Sequence, residues 1–363
     1  MATGMLRNSS KLSTHTRIKT LAGKLLLLPF LSLIACNNTE AKKNDFPAKD
    51  SAIAAKPPVS VAEPVEEPIA ALDTALYNKL MLHLVHDKAS AKWPVKSAYP
   101  LAGAILPFKR IVAYYGNLYS KGMGILGQLP PDEMLQHLQS EAKRWAAADP
   151  QIPVQPALHY IAVTAQHLPG KDGKYRLRMP SSQIDKVLEM AKKIDAIVFL
   201  DVQVGHSSLQ AELPLLEKYL AMPNVHLGID PEFSMKNGKV PSTSIGTFDA
   251  EDVNYASAFL KDIVVKNKLA PKVLIVHRFT KGMLTNSRNI KLRREVQVVI
   301  NMDGFGFPAK KRNSYQLAVV SEPVQFAGFK LFYKNDELTP PYKIMQPADV
   351  LKLDPSPIYI QYQ

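Results

Sequence analysis

Short apolar runs recur along most of this chain, and stretches with helical spacing separate them. Eight of these runs have the length and the β-branched and aromatic content typical of strands. They lie at 110–115, 154–163, 196–204, 225–230, 273–278, 296–302, 326–333 and 357–361. Amphipathic helices are predicted between them at 131–148, 181–193, 209–221, 249–268, 283–294 and 347–353, with a further helix at 73–86 before the first strand.

Eight strands alternating with helices predict an α/β fold, the (β/α)8 TIM-like barrel. The connection at 308–320 has a poor helical pattern, and a doubly wound open sheet is the alternative. That fold usually carries a glycine-rich phosphate turn after its first strand, but here the turn is Gly116-Asn117-Leu118-Tyr119, which is not G-x-G-x-x-G. We therefore expect a barrel without a dinucleotide site and predict no cofactor. The helix at 73–86 is expected to pack under the barrel as a lid or brace.

The first 35 residues have the pattern of a secretory signal peptide. Five basic residues and no acid precede a leucine-rich run at 25–35 that ends at Cys36, the only cysteine. This run is too short to cross a bilayer, which takes about 20 residues. The ending Leu33-Ile34-Ala35-Cys36 resembles the bacterial lipobox, and the resemblance implies a diacylglycerol on the Cys36 thiol. A buried core cysteine and an uncleaved membrane anchor are the alternatives.

Residues 36–72 are rich in Ala, Pro, Lys and Glu and have no apolar periodicity, so we expect a disordered tether. Residues 73–363 then form one barrel domain, which has no second cysteine for a disulfide. Lipidation would place the protein in the cell envelope. Asn37 is not an acidic retention residue, and this favours the outer membrane.

The charge of the chain bears on its partners. It contains 45 Lys and Arg against 32 Asp and Glu, a net charge of +13. This excess is spread out, its densest clusters being 291–294 and 310–312, and it favours solvated faces or attraction to an anionic surface or glycan. We find no nucleic-acid motif and predict no nucleic-acid partner. The expected partners are a membrane, through the lipid anchor, and a polysaccharide or peptidoglycan.

Several strands become polar on one face towards their carboxyl ends, where barrel enzymes build their active sites. Because side chains two residues apart on a strand point the same way, each strand gives one apolar face to the helices and one partly polar face to the interior. The polar positions are Asp201 and Gln203, Asp230 and Glu232, His277 and Arg278, Asn301 and Asp303, His159, and Gln361. A polar pocket at one rim is predicted; a salt-bridged plug, with His277 and Arg278 neutralising the acids, is the alternative.

Asp230-Pro231-Glu232 is the sharpest of these elements. Two carboxylates in one cavity repel each other, so one pKa rises and the two groups can divide acid and base roles. Asp-x-Glu after the fourth strand resembles the end of the chitinase-type and muramidase-type barrel signature, whose fuller pattern has acids where this chain has Val225 and Gly228. The resemblance implies a glycoside hydrolase in which Glu232 donates the proton and Asp230 modulates it. A plain strand-ending turn capped by Asp230 is the simpler alternative.

The remaining candidates complete this hypothesis. Asp201 and Asp303 are the next carboxylates, expected to orient water or a sugar hydroxyl. The candidate substrate-binding residues are Tyr115, Asn117, His159, Gln203, His277, Arg278, Asn301 and Gln361. The aromatic side chains available for stacking on sugar rings are Tyr114, Phe233, Phe305 and Phe307.

Other chemistries are weaker. His159, Asp201, Asp230 and His277 are of the right types for a divalent metal, but they show no H-x-H or H-E-x-x-H spacing, and no metal is predicted. Gly205-His206-Ser207-Ser208 lacks a G-x-S-x-G elbow and is interpreted as a loop in which a serine caps the next helix. A hydrolase is favoured over a non-catalytic lipoprotein that binds a ligand or partner. An open cavity shared by Glu232 and a second carboxylate distinguishes the two.

Overall fold

A computed structural model describes residues 71–363, and eight parallel strands form its centre. The strands are β1 Arg110–Gly116, β2 Val154–Ala165, β3 Ile197–Val202, β4 Val225–Ile229, β5 Lys272–His277, β6 Val296–Met302, β7 Phe326–Leu331 and β8 Tyr359–Tyr362. Each strand pairs with the next along the chain, and β8 pairs with β1. The sheet is therefore closed, and the predicted TIM-like barrel is confirmed against the open sheet. The predicted signal peptide and nearly all of the predicted tether lie outside the described residues.

Helices lie between the strands, mostly where the sequence predicts them. They are α1 Thr74–His83, α2 Pro131–Ala148, α3 Ser181–Lys192, α4 Leu209–Glu212, α5 Glu217–Leu220, α6 Ala250–Asn267, α7 Pro308–Tyr315 and α8 Pro347–Val350. A proline and two acids in the first turn start α2. A capping box between Asp249 and Asp252 starts α6. Within residues 71–363, no helix is long and apolar enough to cross a membrane.

Three helix predictions need correction. The stretch at 209–221 is α4 and α5 joined by a 3₁₀ turn, Leu213–Leu216, because Pro214 interrupts the regular helix. The stretch at 283–294 contains a two-residue strand, Leu284–Thr285, which pairs with Phe248–Asp249, and a 3₁₀ turn, Ser287–Asn289. The poorly patterned connection at 308–320 is helical, as α7 followed by one π-helical turn.

The two faces of each barrel strand are buried in different surroundings, as predicted. In β3, Val198 and Leu200 pack in the layer between strands and helices, whereas Phe199 packs inside the barrel. The same alternation continues in β4 and β6. This places Asp201, which follows Phe199 by two residues, in the barrel interior.

Helix α1 closes the amino end of the barrel. Tyr77, Leu80, Met81 and Leu84 lie on one face at i, i+3, i+4 and i+7, and they join an apolar cluster inside the barrel. That cluster contains residues from the start of the strands, such as Ile111 and Val273. The predicted packing of this helix under the barrel is therefore confirmed, and an access route into the interior is left at the carboxyl end.

Candidate active site

A cavity of about 590 Å³ opens at the carboxyl end of the barrel. Residues at the ends of the strands or just after them supply most of its polar lining. These are Tyr115, Gln203, Asp230, Glu232, Asp303 and Lys330. Phenylalanine side chains form the apolar part of its wall, among them Phe233, Phe279, Phe305 and Phe332. A concave site with a few converging polar groups and aromatic walls is typical of a small-molecule or polymer-binding cleft.

Pro231–Phe233 forms a short 3₁₀ turn after β4, and Asp230 is its N-terminal cap. Asp230 Oδ1 accepts a hydrogen bond from the Glu232 backbone N–H at 3.0 Å, and Gln203 Nε2 donates to Asp230 Oδ2 at 3.3 Å. Asp230 therefore does cap the turn, as the simpler alternative predicted. Asp230 also lines the cavity, so the turn orients its carboxylate and leaves it available for chemistry.

Glu232 has the properties of a proton donor. Its side chain takes no hydrogen bond from any group within residues 71–363, and it points into the cavity. Burial, followed by the negative charge of Asp303, raises the pKa of Glu232 to about 7. Burial also raises the pKa of Asp230 well above its usual value. A carboxyl that stays protonated near neutral pH can act as a general acid.

Lys330 is a buried cation that interacts electrostatically with these carboxyl groups. It lies on the inward face of β7, and its Nζ sits 3.8 Å from the centre of the Tyr115 ring. Burial lowers its pKa, and the carboxylates of Asp303 and Asp230 oppose that effect. A cation–π contact and several acids therefore hold this lysine at the bottom of the cavity.

Beneath the cavity lies a fully buried cluster of His159, Asp201 and His277. Asp201 Oδ1 is 3.3 Å from His159 Nε2 and 3.5 Å from His277 Nε2. The other oxygen of Asp201 accepts a hydrogen bond from Tyr115 Oη at 2.9 Å. The Tyr115 ring packs against both imidazoles, with centroids 5.3 and 5.7 Å away, and separates the cluster from the cavity above.

The outer nitrogens of the two imidazoles are also fixed. His277 Nδ1 lies 3.1 Å from Asp303 Oδ2, and His159 Nδ1 lies 2.6 Å from Tyr359 Oη. Gln361 Nε2 donates to the same tyrosine oxygen at 2.9 Å. Both rings are thereby held with Nε2 directed towards Asp201.

Protonation within the cluster follows from these contacts. Burial disfavours the charged imidazolium, but Asp201 and Asp303 on either side of His277 outweigh it and raise its pKa to about 10. His159 faces one carboxylate only, and burial lowers its pKa to about 4. Burial alone would raise the pKa of Asp201, but the two histidines hold it well below its usual value.

The predicted residues separate into a group that lines the cavity, a deeper buried group, and four that belong to neither. Tyr115, Gln203, Asp230, Glu232 and Asp303 line the cavity, as do the predicted stacking residues Phe233 and Phe305. Deeper in the barrel, and fully buried, are His159, Asp201, His277, Asn301 and Gln361. Phe307 is partly exposed, and Tyr114 packs outside the barrel against Tyr333 and Tyr362, so neither lines the cavity.

Arg278 and Asn117 do not face the cavity. Adjacent residues point to opposite faces, so Arg278 leaves the barrel interior that His277 enters, and it pairs with Glu322 and with backbone carbonyls outside. Asn117 is used locally, donating to the Ile161 carbonyl and accepting from the Tyr119 N–H. Their predicted position in a substrate cleft is corrected for these reasons.

Sequence reasoning missed Lys330 and Tyr359 at this end of the barrel. Lys330 had a visible signal, since it is a lone lysine in the apolar run Phe326–Leu331, on the face of Phe326 and Gly328. Such a charge inside a strand needs partners. Tyr359 shares a strand face with the predicted site residue Gln361, but a tyrosine at the start of a buried strand is ordinary, and it was not proposed for a role.

Contacts also test two further hypotheses from the sequence, the salt-bridged plug and the role of the Gly205–Ser208 loop. His277 neutralises the strand-end acids Asp201 and Asp303, whereas Arg278 pairs with Glu322 outside the barrel. An open cavity remains above His277, so the plug accounts only for the lower half of the site. Ser208 caps α4 through the Ala211 N–H, and the His206 ring bonds the Lys239 carbonyl. The Gly205–Ser208 loop is therefore structural.

Neither comparison with models of known protein families nor a search of curated proteins gave a match. What the chain itself presents is a TIM-like barrel with a buried cluster of carboxylates and histidines below an open cavity. This arrangement is compatible with a hydrolase.

Proposed function

We propose that this protein is a glycan-directed hydrolase in which Glu232 protonates the leaving oxygen. The observation that carries the proposal is that Glu232, without a hydrogen-bonding partner among the described residues and with a raised pKa, shares an open cavity with Asp303. Glycoside hydrolysis needs such a pair, one carboxyl as acid and one as base or nucleophile.

The other lining residues have roles in the same proposal. Asp230 modulates Glu232 electrostatically from two residues away, and Gln203 and Tyr115 present polar groups to sugar hydroxyls. Phe279 and Phe305 offer apolar faces against which a sugar ring can stack. Asp201 lies in the floor beneath the cavity and acts on it through Tyr115 and through His277 and Asp303.

The test uses the full-length chain in detergent, with a panel of polysaccharides and peptidoglycan. We expect the parent to release reducing ends and the Glu232→Gln variant to lose about 10²–10⁴-fold of that rate, the usual contribution of a general acid. Glu189→Gln, on the exposed face of α3, is the matched control and should cleave like the parent.

Two outcomes contradict the proposal. A Glu232→Gln variant with the parent's rate would remove Glu232 from the chemistry. A parent that cleaves nothing while remaining folded would favour the non-catalytic alternative, a lipoprotein that uses the cavity to bind a ligand.

The cell-envelope location belongs to the same proposal and rests on the signal-peptide and lipobox patterns that end at Cys36. In a bacterial host, labelled palmitate should enter the parent, and the protein should sediment with membranes. The Cys36→Ser variant should incorporate no label. Equal labelling of both proteins would refute the anchor.

A further inference from the structure

Three buried polar atoms in the barrel floor converge, and within residues 71–363 they contact one another as ion pairs but make no well-aligned hydrogen bond. They are His159 Nε2, Asp201 Oδ1 and His277 Nε2, and each lies within 4.8 Å of the other two. All three side chains are fully buried. Buried polar atoms that lack well-aligned hydrogen bonds destabilise a protein unless a further group satisfies them.

Two of the separations among these atoms match those of ligands around one metal ion. A tetrahedral ion with nitrogen and oxygen ligands at about 2.0–2.1 Å holds them about 3.3 Å apart. The observed separations from Asp201 Oδ1 are 3.3 Å to His159 Nε2 and 3.5 Å to His277 Nε2.

The surrounding groups are those that metal-bound histidines require. A ligating imidazole usually donates its other N–H to a carboxylate or another oxygen, which fixes its tautomer. His277 Nδ1 faces Asp303, and His159 Nδ1 faces the Tyr359 hydroxyl. Tyr115 similarly holds the second oxygen of Asp201.

Gly228 lets the β4 backbone pass close to the cluster. A Cβ at this position would lie 2.4 Å from both Asp201 Oδ1 and His159 Nε2. Only a glycine leaves these two atoms clear of the β4 backbone.

From this geometry we propose that His159, Asp201 and His277 bind one divalent transition-metal ion, such as Zn²⁺, in the floor of the barrel. Two imidazoles and one carboxylate suit ions of this class, whereas Mg²⁺ and Ca²⁺ prefer sites made of oxygen alone. The site lies below Tyr115 and Asp303 and goes beyond the proposed hydrolysis, since its occupancy is measured without a glycan.

The test is metal binding by the full-length protein in detergent after treatment with a chelator. Calorimetric titration should show one Zn²⁺ per chain, and Zn²⁺ should raise the melting temperature. Mg²⁺ should do neither. Removing a group that hydrogen-bonds to a metal ligand lowers the metal affinity by about 10–100-fold. His159→Ala and Asp201→Asn change the ligands themselves, so each is expected to lower the Zn²⁺ affinity by more than about 100-fold. His137→Ala, on the exposed face of α2, should bind like the parent.

A second measurement does not depend on any variant folding. The Co²⁺-loaded parent should show two paramagnetically shifted, exchangeable N–H resonances in its proton spectrum, one from each bound imidazole. Less than one Zn²⁺ per parent chain, the parent's affinity in His159→Ala, or shifted N–H signals other than two would each overturn the proposal.

Discussion

At the scale of single residues, Gly228 controls how closely β4 approaches the buried cluster. Any larger side chain would enter the space held by Asp201 Oδ1 and His159 Nε2, each 2.4 Å from an added Cβ. These groups belong to packed strands and cannot retreat as a surface side chain does.

We expect Gly228→Ala to lower the free energy of unfolding by about 3 kcal/mol, the upper range for overpacking. Gly282→Ala is the control, because Gly282 is exposed and an added Cβ meets nothing within 4 Å. It should change stability by less than about 0.5 kcal/mol. Urea denaturation of the parent and the two variants measures both values. If Gly228→Ala were as stable as the parent, the residues around Gly228 would move apart more easily than their packing indicates.

The residues at this end of the barrel were foreseeable as a group, but their depths were not. Parallel strands end at one rim, so polar residues near those ends had to gather. Each step of two residues along a strand moves a side chain about 6.6 Å along its length. Asp201 therefore lies in the floor while Gln203 lines the cavity, and His159, well before the end of the long strand β2, lies deep.

At the scale of elements, one buried carboxylate joins a loop to a helix. The short strand Arg176–Arg178 pairs antiparallel with β2. Glu212, at the end of α4, accepts from Arg176 Nε at 2.8 Å and from Arg178 Nε at 2.7 Å. Burial would raise the pKa of Glu212, but the hydrogen bonds from Arg178, Ser207 and Arg176 hold it below its usual value.

Glu212→Gln should destabilise the protein by about 3–5 kcal/mol, since it leaves Arg176 buried without its full counter-charge. Because the pKa of Glu212 is lowered on folding, its stabilisation is present above the carboxyl's ordinary range and is lost as pH falls through the lowered value. Glu217→Gln breaks an exposed pair with Lys266 and should cost less than about 1 kcal/mol. Thermal melts would contradict the expectation if the two variants were equally destabilised.

The strands were predictable because each is a nearly continuous apolar run, whereas α7 was not. Its buried positions include Lys311, whose Nζ contacts Asp336 Oδ2 at 2.9 Å and the Gly304 carbonyl at 2.9 Å. A lysine that faces inward removes the apolar periodicity from which a helix is recognised. Only the partner on a distant loop explains why it is buried.

At the scale of the whole molecule, the barrel is closed at one end and open at the other. The α1 residues Leu80 and Leu84 fill the amino end, and the cavity occupies the carboxyl end. Helix α1 is also tied to the last loop, since the Ser356 N–H donates to the Leu84 carbonyl at 2.7 Å. The helix is thus part of the barrel core rather than a removable extension.

Leu80→Ala should lower the free energy of unfolding by about 2–5 kcal/mol, the cost of a large-to-small change in a core. Leu82, two residues further along the same helix, is 41% exposed, and Leu82→Ala should cost far less. Denaturant titration distinguishes the two, and a mild effect at Leu80 would mean that the barrel is stable without this helix.

The position of α1 has a practical consequence for handling the protein. Helix α1, which begins at Thr74, packs at the closed end of the domain, whereas the mouth of the cavity is formed by loops at the other end. A purification tag, a fluorescent fusion or a surface-coupling group placed ahead of this helix therefore leaves the mouth clear. The same additions at the carboxyl terminus would sit beside it, because Gln363 itself lines the cavity.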